Sequence, residues 1–381
     1  MYNKIYLINK TVLYISTNDA WGGSEELWLR SALNFETKGY NVYAITRYQS
    51  HNLNRLSKDT FIYKNYYQLS RKERLLRKFR LKKDFGNPLC NYIKKIQPHL
   101  VIISQGSNMS SLEVMDFCYN AGLKFVTITQ LVTESHFSVF NNENLEKFRF
   151  LYSSALLNFF VSQQNLELNN CMLGIDLKNA LTTYNPCRVY GANAVDYPSS
   201  DIYNIALVSR INFFHKGHDL LLKALQAEKW KKRNVRFNIY GDGPNHFLIK
   251  DIINNSGFTN VSLQGYSEDM RTVWQNNHLL CMPSRFEGQA LALIEAMYFG
   301  RAAVVTNVGG IKELVRNEIN GFIAETASAE SIDKALEKAW EKRNMWESMG
   351  IISRKMILKK YKIPAEIALN NHLLSLINKP D

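Results

Sequence analysis

Strand-length apolar runs alternate with stretches of helical periodicity along almost the whole chain, in two series parted by a loop-rich break. The first series opens with Val12 to Ser16, which runs into Thr17, Asn18, Asp19, Gly22 and Gly23 before the helical stretch SEELWLRSALNFETKGY. A second strand, Asn41 to Thr46, follows Gly39. Others are expected at Leu100 to Ser104 and Lys124 to Thr129, after the turn signals Gln97-Pro98 and Gly122. Pro186, Gly191 and Pro198 then interrupt any regular pattern. The series resumes with strands at Ile205 to Ser209, Arg236 to Tyr240, Val261 to Gln264, Leu279 to Met282 and Ala303 to Thr306, with a helix from about His218. Ile332, Ala335, Leu336, Ala339 and Trp340 follow helical spacing, and Pro364 to Asn378 reads as a last helix. Such alternation predicts an α/β protein of two doubly wound, Rossmann-like domains with parallel sheets, facing each other across a cleft. The expected bounds are 1–192, 193–362 and a C-terminal helix, 363–381, packing back on the first domain.

Length and composition agree with two ordered cores. The 381 residues are 46% hydrophobic and 21% charged. Forty-seven Lys and Arg against 34 Asp and Glu leave a formal charge of +13, which favours an anionic partner. Cys90, Cys118, Cys171, Cys187 and Cys281 form no Cys-x-x-Cys pair and are odd in number, so neither a disulfide framework nor a zinc site is expected. No signal peptide is read at the N-terminus, and no apolar stretch reaches the roughly 18 residues that span a bilayer. A cytoplasmic protein, soluble or on a membrane surface, is the expectation.

The chemistry concentrates between Pro283 and Phe322. Glu287 follows an apolar strand, Gly288 turns the chain, and a helix from about Gln289 contains Glu295. Eight helical residues would part the two carboxylates by about 12 Å, the reach from a sugar across a diphosphate to a ribose. The helix N-terminus between them offers free N–H groups to phosphate. Leu291, Leu293, Ile294, Ala296 and Met297 surround Glu295 with apolar neighbours, so its carboxylate needs a partner. Arg210 and Lys216, six residues apart where a strand gives way to a helix, suit the clamping of a diphosphate. Gly22 and Gly23 allow close approach of backbone to an anion at a helix start. Gly241-x-Gly243 also follows a strand, but His246 stands where a dinucleotide fingerprint needs its third glycine.

The segment holding Glu287 and Glu295 resembles that of family 4 glycosyltransferases, retaining enzymes of the GT-B fold whose signature is two glutamates separated by seven residues. The resemblance implies that Glu287 contacts hydroxyls of the donor sugar and that Glu295 binds the ribose of a nucleotide-sugar. Gly288, Gln289 and Ala290 would supply backbone contacts to sugar and phosphate, while Arg210 and Lys216 stabilise the leaving nucleotide. It implies as well that Gly22 and Gly23 face donor phosphates or acceptor, that the Gly241 loop lines the nucleotide side, and that Tyr266 sits by the base. Gly309, Gly310 and Glu313 match a mainly structural feature. With no Asp-x-Asp in the chain, transfer is expected to need neither metal nor other cofactor. One departure concerns the acceptor side, where many relatives carry a histidine: Gln130 takes that position here, with His136 six residues on. The resemblance implies a front-face reaction without a protein nucleophile.

Residues 71–83 lie in a run, Arg71 to Asp84, that places eight cations around Leu75, Leu76, Phe79 and Leu81. This suits contact with an anionic membrane carrying a lipid-linked acceptor, and equally a solvated helix packed by its apolar stripe. The expected product is a surface polysaccharide or lipid-linked glycan such as lipopolysaccharide. Nucleic-acid binding, motivated by charge alone, lacks any motif. Another GT-B enzyme, such as a sugar-nucleotide epimerase, or an inactive sugar-nucleotide binder would share the same donor site.

Overall fold

The computed structural model describes residues 10–58, 60–62, 88–135 and 142–378. The chain falls into two units, Met1–Pro186 with Ala365–Asp381, and Cys187–Pro364. In the first unit the elements run β1 (Thr11–Ser16), α1 (Glu25–Thr37), β2 (Asn41–Thr46), a 3-10 turn (His51–Arg55), β3 (Phe61–Ile62), α2 (Pro88–Ile96), β4 (Leu100–Gln105), α3 (Leu112–Asn120), β5 (Phe125–Thr129), α4 (Asn142–Ser154), β6 (Leu157–Phe160), α5 (Gln163–Leu173) and β7 (Ala180–Thr182). All neighbours pair in parallel, in the order β3-β2-β1-β4-β5-β6-β7. Leu13, Ile15, Val101, Ile103, Phe148, Tyr152 and Phe160 form its core. A run such as Leu100–Ile103 is apolar without alternation because helices cover both faces of a parallel sheet.

The second unit repeats the plan: β8 (Tyr203–Val208), α6 (Phe213–Lys216), α7 (His218–Leu225), α8 (Glu228–Lys232), β9 (Val235–Tyr240), α9 (His246–Asn255), β10 (Val261–Gly265), α10 (Met270–Asn276), β11 (Leu279–Met282), α11 (Leu291–Tyr298), β12 (Ala302–Thr306), a 3-10 turn (Gly309–Glu313), β13 (Gly321–Ala324), α12 (Ala329–Glu341) and α13 (Trp346–Lys360). Its sheet is again parallel, ordered β10-β9-β8-β11-β12-β13. One expectation needs correction. The helix bearing Glu295 begins at Leu291, not Gln289, with Ala290 at its cap in an extended conformation. A loop and about one helical turn therefore join Glu287 to Glu295, and the rise of an eight-residue helix does not apply between them.

The last helix, α14 (Ala365–Ile377), belongs to the first unit and packs on α1. Asn370, fully buried, donates to Ser31 O at 3.0 Å and Asn34 Oδ1 at 2.9 Å, and accepts from Ser31 Oγ. A buried amide so satisfied is expensive to disconnect. Asn370→Leu is expected to lower stability by about 1–3 kcal/mol, because it removes the buried donor to Ser31 O and Asn34 Oδ1 and the acceptor of the Ser31 hydroxyl, which keeps only its contact with the Tyr14 hydroxyl among the hydrogen bonds described. Urea unfolding checks this, and an unchanged midpoint would contradict it. Among the described residues no helix is long and apolar enough to cross a membrane.

Candidate functional site

In the second unit the strand order reverses between β8 and β11, and ligands of open α/β sheets bind outside the carboxyl ends of strands at such a point. Two connections leave there: 209–217 after β8, with Arg210 in its loop and Lys216 at the end of α6, and 283–290 after β11, with Glu287. Close backbone packing fixes them together. Gly217, at φ +64°, would drive a Cβ to 2.0 Å from Pro283 O. Gly241, at φ +136°, would bring one to 2.0 Å from Ser209 O, and Ile211 N donates to Asp242 O, so the Gly241 loop braces the segment carrying Arg210. His215 O accepts from the N–H groups of Arg285 and Phe286, and the Arg285 guanidinium forks onto Asp219 at 2.8 and 2.7 Å. The turn after β12 supports Glu287 from below. A Cβ on Gly309 would lie 1.7 Å from Glu287 O, and Gly310 N donates to Gly288 O at 2.8 Å.

This packing brings Lys216 Nζ to 2.6 Å from Glu287 Oε1, which also accepts from Ser284 Oγ at 2.7 Å. Glu287 is buried, at 7% exposure, whereas Lys216 retains 26%. Arg210 is exposed. His215 reports the local field: burial lowers its pKa first, Lys216 and Arg210 lower it further, and Glu287 opposes them. The neutral imidazole is thus favoured over the charged form. Glu295, fully buried on α11, receives a two-pronged ion pair from Arg188, Nε to Oε1 at 2.5 Å and Nη2 to Oε2 at 3.0 Å. That is the partner its apolar surroundings require. Gly288, Gln289 and Ala290 are buried in the loop between the carboxylates, and Tyr361 Oη donates to Gln289 Oε1 at 3.4 Å. Tyr266 is 70% exposed, just past the carboxyl end of β10. A cationic pair beside a shielded carboxylate suits a ligand with both phosphate and hydroxyl groups.

Gly22, Gly23 and Gln130 lie in the first unit, whose strand order reverses between β1 and β4. Gly22 O and Gly23 O accept from Glu25 N and Glu26 N as α1 begins. Glu26 pairs with Arg30, whereas Glu25 is fully buried and accepts from Asn18 Nδ2, Trp28 Nε1 and Tyr48 Oη. The Asn18 side chain occupies the space that a Cβ on Gly106 would need, so Glu25 secures the loops after β1 and β4 together. Gln130, buried just after β5, accepts from Asn165 Nδ2 through its carbonyl. His136 and the cationic segment 71–83 lie outside the described residues. Sequence reasoning missed Arg188, Ser284 and His215, whereas Glu25 and Glu26, directly after the glycine loop, read as first-turn charges that complement the helix dipole.

Residues 197–356 match the family described as glycosyl transferases group 1. An uncharacterized glycosyltransferase of Haemophilus influenzae is 30% identical over 146 residues, 38% of this chain and 41% of that protein. The poly(ribitol-phosphate) alpha-N-acetylglucosaminyltransferase of Staphylococcus aureus is 26% identical over 148 residues, 38% of this chain and 30% of its own length. The aligned stretch spans less than half the length of these curated relatives. Likeness to solved structures runs further. Anabaena HepE in complex with UDP superposes with a TM-score of 0.72 at 16% identity, covering 96% of this chain and 98% of that one. A lipopolysaccharide outer core galactosyltransferase gives 0.69 at 18% identity, covering 96% and 99%. The match to glycosyl transferases group 1 thus holds Arg210, Lys216, Glu287 and Glu295, and the fold of the two units is that of GT-B glycosyltransferases.

Proposed function

We propose that the protein is a retaining, metal-independent glycosyltransferase that moves a sugar from a nucleotide-sugar donor to a glycan or lipid-linked acceptor in surface polysaccharide biosynthesis. The observation that carries this reading is the Lys216–Glu287 pair at the switch point of β8 and β11, with Arg210 on the same connection and close enough to act on the neighbouring His215. Lys216 and Arg210 offset the charge that develops on the leaving diphosphate, the task a metal performs elsewhere. Glu287 accepts hydrogen bonds from sugar hydroxyls, and Glu295 from the ribose. Backbone N–H groups of the 288–290 loop meet the phosphates, the Gly241 loop and Tyr266 flank the nucleotide, and Gly22 and Gly23 serve the phosphates or the acceptor.

In the reaction the bond from the anomeric carbon to the phosphate oxygen breaks on the face where the acceptor oxygen bonds. The acceptor's proton passes to the departing phosphate, so no side chain need become glycosylated. Gln130 and His136 are the acceptor-side candidates. The eight cations of residues 71–83 support peripheral contact with an anionic membrane.

The test screens UDP-, GDP- and ADP-sugars by thermal shift, since a ligand that binds only the folded state raises its apparent stability. Donors that bind are then incubated with EDTA and lipid-linked or glycan acceptors. One donor should raise the melting temperature and yield a product with its anomeric configuration kept. An epimerised free sugar, an inverted linkage or abolition by EDTA would each overturn the matching part of the proposal.

A further inference from the structure

Glu295 and Arg188 meet unequally. The carboxylate is wholly buried, while the guanidinium that forks onto both its oxygens keeps 39% of its side-chain surface in water. Arg188 is therefore the solvent-side member, and a solute approaching Glu295 from water encounters the guanidinium first. The turn that carries it is fastened independently. Gly191 N donates to Tyr298 Oη at 2.7 Å, and Arg354 joins Ala192 O at 3.2 Å to the Tyr298 carbonyl at the end of α11. The backbone after Arg188 is thus held by contacts that do not involve the Arg188 side chain.

We propose that Arg188 is a placeholder for the ribose: in the free protein its two N–H groups occupy the carboxylate oxygens of Glu295 that the vicinal ribose hydroxyls take over when a nucleotide binds. This rests on the reading that Glu295 receives the ribose. The exchange is even in hydrogen-bond count though not in charge, because a cis-diol offers two O–H donors to two carboxylate oxygens as the guanidinium fork does with N–H. Arg188 thereby sets nucleotide affinity. The free state is stabilised by an ion pair that binding must break, and a ligand's apparent affinity falls with the fraction of protein ready to receive it. Without Arg188 the buried carboxylate has no cation among the ion pairs of the described residues, and the ribose hydroxyls relieve that deficit.

The experiment is calorimetric titration of wild type and Arg188→Met with UDP, GDP and ADP and with their 2′-deoxy counterparts. Arg188→Met is expected to melt lower than wild type, yet to bind the preferred ribonucleotide about tenfold more tightly. The gain should be smaller for the 2′-deoxy form, so that the ratio of the two affinities widens. In a Glu295→Gln background the same substitution should change nothing. Weaker binding by Arg188→Met, or an equal change for both sugars, would show instead that Arg188 holds Glu295 in shape, and would overturn the proposal. Should Arg188→Met fail to fold, Arg188→Lys, which keeps the charge but cannot fork, must show an intermediate gain. If no nucleoside diphosphate binds the wild type, the donor reading itself fails. If one binds with equal affinity to wild type and Glu295→Gln, only the placement of the ribose fails.

Discussion

Lys216→Met is expected to slow sugar transfer by about 10²–10³-fold, the usual consequence of removing one preorganised group that meets developing charge. Two effects combine in this substitution. Lys216 Nζ sits 2.6 Å from Glu287 Oε1, so losing it leaves a carboxylate of 7% exposure with the Ser284 hydroxyl as the one remaining partner of that oxygen among the described residues. It also halves the pair of cations proposed to meet a diphosphate at the switch point. The two effects separate in steady-state kinetics. Loss of leaving-group stabilisation lowers kcat with little change in the donor KM, whereas a collapsed Glu287 raises KM as well. Lys216→Arg keeps the charge but not the compact ammonium that fits beneath Glu287, and should recover part of kcat. Rates within threefold of wild type for Lys216→Met, with an unchanged melting curve, would move the burden of the leaving group to Arg210 alone.

The alternation of strand and helix was legible because parallel strands buried on both faces read as continuous apolar runs, as at Leu279–Met282. β6 was not legible. Its LNFF sequence places Asn158 in the interior, where Thr127 Oγ1 donates to its side-chain carbonyl and its amide donates to Tyr152 O. Nothing local announces those partners, so a polar residue inside a four-residue run gives no strand signal. α13 was not legible either, for a different reason. Its core face presents Gly350 and Ser353 beside Trp346, Met349 and Ile357, while Ile351 and Ile352 are exposed. A Cβ on Gly350 would come within 2.0 Å of Gly300 O, so a close backbone approach replaced the apolar stripe that periodicity looks for.

The candidate site divides in the same manner. Glu287, Glu295, Arg210 and Lys216 stood out through local spacing. Arg188 did not, since 107 positions separate it from Glu295 and only the fold brings them together. The need for such a partner was readable from the apolar neighbours of Glu295; its identity was not.

The largest loss of stability is expected at Arg301, a residue outside the proposed chemistry. Its side chain is 2% exposed and has no carboxylate beside it among the hydrogen-bond partners described. Instead Nε donates to Trp274 O and Asn277 O at 3.0 and 2.9 Å, Nη1 to Phe299 O and Gly300 O at 3.1 and 3.3 Å, and Nη2 to Asp196 O and Trp274 O, each at 2.6 Å. The guanidinium lies over the Tyr197 ring, 5.2 Å from its centroid. Burial lowers its pKa to about 10, which leaves it charged at neutral pH. One cation therefore gathers the carbonyl ends of α10 and α11 and the segment entering β8. Arg301→Met keeps the packing of the stem but strands these carbonyls, and should lower the stability of the second unit by about 3–5 kcal/mol. Arg301→Lys should fare little better, because three donors on a point charge cannot satisfy a planar array of five carbonyls. Urea unfolding followed by tryptophan fluorescence reads the change, with Trp230, Trp274 and Trp346 buried in this unit. A loss below about 1 kcal/mol would mean that water can replace the guanidinium at those carbonyls. Because α11 also carries Glu295, nucleotide binding should offset part of the deficit, and the mutant's midpoint should rise with donor concentration as linkage requires.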